Sequence, residues 1–241
     1  MSSSSHLSDN LALLEHETSL LVHTAGGLDD ETIRVASFCE GWTRAHVLSH
    51  LARNADALGN LVGWAVTGTP RAMYDSPDSR DADIAAGANR GAQEIFTDLN
   101  DSSARFASAA ASLAGPPEKA EVEMRGSRVV SGAQLPTLRL MEVVFHHVDL
   151  DAGYTFADAD PGFVKRAITI AVERFRTRGQ VPSTTSRGDS GAPWSLGSVP
   201  RRVIWANSAL ALWPGSGTTA RSSPAPPPPA CAEPGPGRTR L

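Results

Sequence analysis

The stretch that most constrains the fold is Gln134 to Gly153, QLPTLRLMEVVFHHVDLDAG. Pro136 suits a first helical turn, and Gly153 suits a left-handed helix end. Leu138, Met141, Phe145 and Val148 recur at helical spacing, which makes that face apolar. Glu142 and His146 lie beside this face, four residues apart and so about one turn apart. An acid and an imidazole turned inward must be satisfied inside the protein. A hydrogen-bonded pair is one solution and a bound metal is another. The helix supplies two candidate ligands, and a third must come from another element.

Three further segments carry helical stripes. Leu7, Leu11, Leu14 and Leu21 predict a helix from about Ser8 to Ala25, ending at Gly26-Gly27. Thr43 is a plausible N-cap for a second helix, with Val47, Leu48, Leu51, Leu58, Leu61 and Val62 on its apolar face. Gly68-Thr69-Pro70 stops it. Arg71 to Ser79 reads as a loop, with Pro77-Asp78-Ser79 as turn chemistry. One long third helix is expected from about Asp81 to Ala114, and Glu121 to Ser131 as a hairpin or extended connection. Four amphipathic helices with one longer crossover predict a mainly α four-helix bundle, a scaffold that builds metal sites from side chains on different helices. A fifth helix follows from Asp160-Pro161 to Gly179. Residues 214–241 are rich in proline and glycine and are expected to be disordered.

The third ligand is sought among seven histidines. His50 shares a side of the second helix with Val47, Leu51, Asn54 and Leu58. His46 and His50 are also spaced as a possible clamp, but His46 lies nearer the helix start and is expected to be more exposed. His147 is turned about 100° from His146 and should face elsewhere. The order Glu-x3-His differs from the HExxH metalloprotease motif. A net charge of −4 argues against a nucleic-acid surface. Cys39 and Cys231 stand far apart in unlike contexts, so no disulfide framework follows. The N-terminus lacks the basic and apolar regions of a signal peptide, and no stretch is long and apolar enough to span a membrane. The expected location is cytoplasmic.

The segments GWTRAHVLSHLARNADAL (41–58), DSRDADIAAGANRGAQEI (78–95) and LRLMEVVFHHVDLDAGY (138–154) resemble the mycothiol-dependent maleylpyruvate isomerases of the DinB-like superfamily. The resemblance covers about residues 8–178. It implies a metal-binding four-helix bundle over 1–157 and a smaller C-terminal α/β domain over 158–213, which looks incomplete or degraded here, ahead of the tail at 214–241. It implies that His50, Glu142 and His146 bind zinc or another divalent metal, with mycothiol as the thiol cofactor. Two imidazoles and a carboxylate leave a fourth position open, as catalytic zinc sites require. A thiol there loses its proton. Its thiolate would add to the cis double bond of maleylpyruvate, and rotation and elimination would give fumarylpyruvate. The substrate is a small dianion, so a cation beside the metal is expected, and Arg80 is the candidate. Its bland alternative is a helix-start residue paired with Asp81 or Asp83. Asp149, near His146, is either an orienting partner or a surface acid. Two other functions fit the same motifs. One is a mycothiol-dependent S-transferase, and the other is a non-catalytic metal-stabilised binding module. The expected state is a monomer or small homo-oligomer.

Overall fold

The computed structural model describes residues 3–177 of the chain. Its order is α1 (Ser3–Gly26), α2 (Arg44–Thr67), α3 (Pro77–Ala88), α4 (Ala92–Ala110), β1 (Glu121–Met124), β2 (Arg128–Ser131), α5 (Leu135–Asp149) and α6 (Pro161–Thr177), with short 3-10 turns between. Helices α1, α2, α4 and α5 form the bundle. Helix α2 packs on α4 and α5, and α1 packs on the same two, so the four close into a ring. Inside it Leu21, Leu48, Leu51, Leu58, Leu61, Ile95, Leu99 and Leu140 are almost wholly removed from water. Burial of each such side chain stabilises the fold by about 1.5–3 kcal/mol. Helix α5 is buried on nearly every side, because α1, α2 and the preceding turn surround it.

The expected third helix is two helices. Helix α3 starts earlier than expected. Ser76 is its N-cap, with its Oγ accepting from the Ser79 N–H at 2.9 Å while the Ser79 Oγ accepts from the Ser76 N–H at 2.9 Å. Pro77 opens the helix instead of belonging to a turn. The chain then breaks at Asn89–Gly91. The Arg34 guanidinium donates to the carbonyls of Ala88 and Arg90, covering the end of α3. The Asp30 carboxylate accepts from the Ala92 N–H at 2.6 Å, covering the start of α4. Residues distant in sequence thus satisfy both loose ends, which lets α3 leave the bundle axis. Gly87 lets α3 lie close on α2, since a Cβ there would meet the buried Ser49 Oγ at 2.9 Å.

The end of α5 also differs from expectation. The helix stops at Asp149, and Asp151 takes positive φ at +50° two residues before Gly153 does at +99°. Aspartate is among the few non-glycine residues that accept this region readily. The segment at 121–131 is an antiparallel hairpin pairing Val122 with Val130. Val122, Met124 and Val130 are buried. At the start of α6, Asp160 accepts from the Phe163 N–H at 2.6 Å, an N-cap followed by Pro161. Most of the expected α/β domain at 158–213, and the expected disordered tail at 214–241, lie outside the described residues. No helix among the described residues is long and apolar enough to cross a membrane.

Candidate metal centre

Helix α2 brings His50 to the bundle axis opposite Glu142 and His146 on α5. His50 Nε2 lies 3.0 Å from Glu142 Oε2, and His146 Nε2 lies 3.5 Å from the same oxygen. The two imidazoles meet edge to face with centroids 4.7 Å apart. His50, Glu142 and His146 each offer one ligand atom, all within 4.8 Å of one another and all from buried residues. The structure therefore gathers the three residues singled out in the sequence.

The other histidines go elsewhere. His46 turns back on its own helix start, with Nδ1 3.3 Å from the Thr43 N–H and 2.8 Å from Thr43 Oγ1. That use as a capping partner removes it from a clamp with His50. His147 places Nε2 2.7 Å from Thr24 Oγ1 and stacks on Tyr154 at 3.7 Å, on the α1 side of α5.

Charge at the centre follows from burial and contact. Burial works to raise the Glu142 carboxyl, but its hydrogen bonds with His146 and His50 outweigh that effect. It stays well below the usual carboxylate range and is ionised. Burial pulls His50 down to about 4, so it is neutral at pH 7. Burial opposes a charge on His146 as well, but bonds to Asp149, Cys39 and Glu142 raise it well above its ordinary value. The pocket thus favours positive charge at His146, between two carboxylates. Asp149 Oδ2 lies 2.8 Å from His146 Nδ1 and holds that nitrogen as the N–H. His146 Nε2 is buried and faces the ionised Glu142 Oε2 at 3.5 Å. Two ring nitrogens and an ionised carboxylate that converge in a buried space fit a divalent cation held by His50 Nε2, Glu142 and His146 Nε2.

Arg80, at the start of α3, is only 5 % exposed. Its Nη1 pairs with Asp81, the bland partner named above. Its Nη2 reaches 3.3 Å from His50 Nδ1, and its guanidinium carbon sits 5.9 Å from the Tyr74 ring centre. One side chain therefore has both the structural pairing and the place beside the centre. A guanidinium only donates, so His50 Nδ1 accepts and His50 Nε2 donates to Glu142.

Three neighbours were not singled out in the sequence as part of the centre. Trp42 stacks on His46 and tilts against His50, with ring centres 6.3 and 5.6 Å away. Tyr74 lies under Arg80. Cys39 places Sγ 3.3 Å from Asp149 Oδ2 and 3.9 Å from His146 Nδ1. All three sit in loops, where no periodicity marks a facing direction. The bond from the Phe38 N–H to the Asp149 carbonyl, at 2.8 Å, docks the Cys39 loop on the end of α5.

Comparisons with known proteins point to one family. Residues 14–151, more than half of the chain, match the family described as the mycothiol maleylpyruvate isomerase N-terminal domain. A crystal structure of the mycothiol-dependent maleylpyruvate isomerase is similar at 32% identity and a TM-score of 0.66, covering 72% of each chain. A crystal structure of a histidine-to-alanine mutant of such an isomerase is similar at 31% identity, with the same TM-score of 0.66 and the same 72% coverage of each chain. No curated protein matches the sequence significantly.

Proposed function

The chain belongs to the mycothiol maleylpyruvate isomerase family, and from that premise we propose that it converts maleylpyruvate to fumarylpyruvate with mycothiol as the thiol and a divalent metal, zinc in the first instance. The observation that carries this reading is the buried convergence of the His50, Glu142 and His146 ligand atoms within 4.8 Å of one another, with Arg80 alongside.

A divalent ion in the centre would supply Lewis acidity that lets an arriving thiol ionise near neutral pH. The net reaction is balanced, since the thiol adds across the cis double bond and leaves after rotation about the resulting single bond. The protein's own groups prepare for this. Asp149 accepts from His146 Nδ1, which leaves the Nε2 lone pair directed at the centre. Glu142 offers a full negative charge in a buried site. With a cation on His50 Nε2, the proton of that ring belongs on Nδ1. The Arg80 N–H then loses its acceptor and is available for a substrate carboxylate or for charge developing on the adduct. Tyr74 and Trp42 line the approach with aromatic surface, which keeps water away from that contact.

The test is turnover of maleylpyruvate by zinc-loaded protein, with and without mycothiol. Turnover that needs both is the expected result. Isomerisation at the same rate without the thiol, or none with both present, would overturn the reading.

A further inference from the structure

We propose that Tyr74 is a catalytic residue of the isomerisation, its phenolic O–H donating to the ketone oxygen of the substrate as that oxygen takes up charge, while Arg80 holds a carboxylate. This rests on the function proposed above and divides the polar work within it. Tyr74 stands in the loop between α2 and α3, and the loop is pinned on both sides of it. Before it, Asn60 Nδ2 on α2 donates to the Ala72 and Met73 carbonyls at 3.3 and 3.4 Å. After it, Ser76 and Ser79 exchange the two bonds that cap α3. Position 74 is therefore fixed relative to both His50 on α2 and Arg80 on α3. The Tyr74 ring centre lies 5.9 Å from the Arg80 guanidinium carbon, and Arg80 Nη2 lies 3.3 Å from His50 Nδ1. The Tyr74 hydroxyl is a hydrogen-bonding neighbour of that guanidinium and feels the charge of Glu142.

The polarity of that contact decides what the phenol can do. A guanidinium only donates, so the Tyr74 oxygen accepts from Arg80 and the phenolic hydrogen points elsewhere. The negative charge of Glu142 draws it toward the centre. Burial raises the phenol above its ordinary value, so it stays protonated at neutral pH. Accepting from a cation also makes its O–H a stronger donor.

The substrate's chemistry calls for such a donor. Sulfur bonds to the double-bond carbon next to the terminal carboxylate, the electron pair of that double bond shifts toward the ketone, and the ketone oxygen gains the negative charge of an enolate. Tyr74 keeps its proton and donates only a hydrogen bond. After rotation the charge returns, the double bond re-forms and the carbon–sulfur bond breaks, releasing the thiolate. The charge on the ketone oxygen exists only between those steps. A donor aimed at it stabilises the transition state and not the bound substrate, so its effect belongs in kcat and not in KM.

The experiment compares Tyr74→Phe and Tyr74→Leu with the unsubstituted protein, all full-length and zinc-loaded. Tyr74→Phe keeps the ring beside Arg80 and removes only the hydroxyl. Its kcat for maleylpyruvate should fall about tenfold or more, with KM within about twofold and zinc content unchanged. Calorimetry supplies a readout that needs no turnover. The ligands are acetylpyruvate, a diketo acid with an acidic enol, and maleate, which offers carboxylates alone. Tyr74→Phe should weaken acetylpyruvate binding about fivefold or more and leave maleate binding unchanged. Full activity in Tyr74→Phe with loss only in Tyr74→Leu would reduce the ring to a support for Arg80 and overturn the proposal. Equal weakening of both ligands in Tyr74→Phe would overturn it as well. Should the unsubstituted protein not isomerise maleylpyruvate, the proposed function falls, and the two ligands still decide whether Tyr74 serves an enol oxygen.

Discussion

Arg139 and the Glu142–His146 pair are buried on the same helix, α5, and they are finished differently. Arg139 is 1 % exposed and spends its donors on the Leu51 carbonyl at 2.8 Å, Asn54 Oδ1 at 2.8 Å and Ser103 Oγ at 3.4 Å. Burial pulls its pKa to about 10, which leaves it charged at pH 7. Its bonds tie α5 to α2 and α4, a brace with its needs met by uncharged partners. Three and seven residues on, Glu142 and His146 face His50, with both imidazoles turned to the same Glu142 oxygen. Burial alone does not separate the two cases; the neighbours do, since Arg139 meets a carbonyl, an amide and a hydroxyl, whereas the ligand atoms of His50, Glu142 and His146 converge within 4.8 Å of one another.

The sharpest way to break this contrast is to remove a ligand. His50→Ala or His146→Ala should lose nearly all bound zinc by metal analysis, while Arg139→Met keeps it. Stoichiometric zinc in His50→Ala, or its loss from His46→Ala instead, would mean that the wrong nitrogens have been paired. The next largest effect is expected at Arg80. Arg80→Ala should retain zinc and lose transition-state stabilisation of about 2–4 kcal/mol, read from kcat/KM for maleylpyruvate. Unchanged kinetics would reduce Arg80 to its pairing with Asp81.

Arg80 also shows how much of the centre was legible in the sequence. The i,i+4 spacing of Glu142 and His146 fixes one face of a helix, and the stripe Val47, Leu51, Leu58 turns His50 to the same core. Those readings needed only local geometry. The break at Asn89–Gly91 did not show, because Ala88 and Ile95 continue an apolar period across it and the caps come from Asp30 and Arg34, far away in sequence. Pro77-Asp78-Ser79 reads as a turn because the same residues serve a turn and a capped helix start. Cys39, Trp42 and Tyr74 reach the centre through loop docking, which has no period to read. Gly153 drew the helix end four residues too far, since Asp151 can itself adopt the left-handed turn.

Two smaller effects sharpen the comparison from the other side. Arg139→Met removes the brace and leaves buried acceptors with fewer donors. Stability by denaturant titration should fall by about 1–3 kcal/mol, with zinc content unchanged. A variant that lost its zinc as well would show that brace and centre are one unit. Truncation after Trp213 should change zinc stoichiometry least of all, because His50, Glu142 and His146 all precede Gly153. Loss of metal on truncation would mean that residues 214–241 support the centre.

The elbow between α3 and α4 divides the labour of this protein. Helix α4 is committed to the bundle and its sequence answers to packing. Helix α3 packs on α2, is held at its end by the Arg34 guanidinium on the Ala88 and Arg90 carbonyls, and carries Arg80 at its start. A straight rod through both segments would chain the position of that guanidinium to the register of the core. With the elbow, the two are set by separate contacts. The first turns of α3 work as a bracket for one guanidinium, set by its own cap at Ser76 and not by the packing of α4.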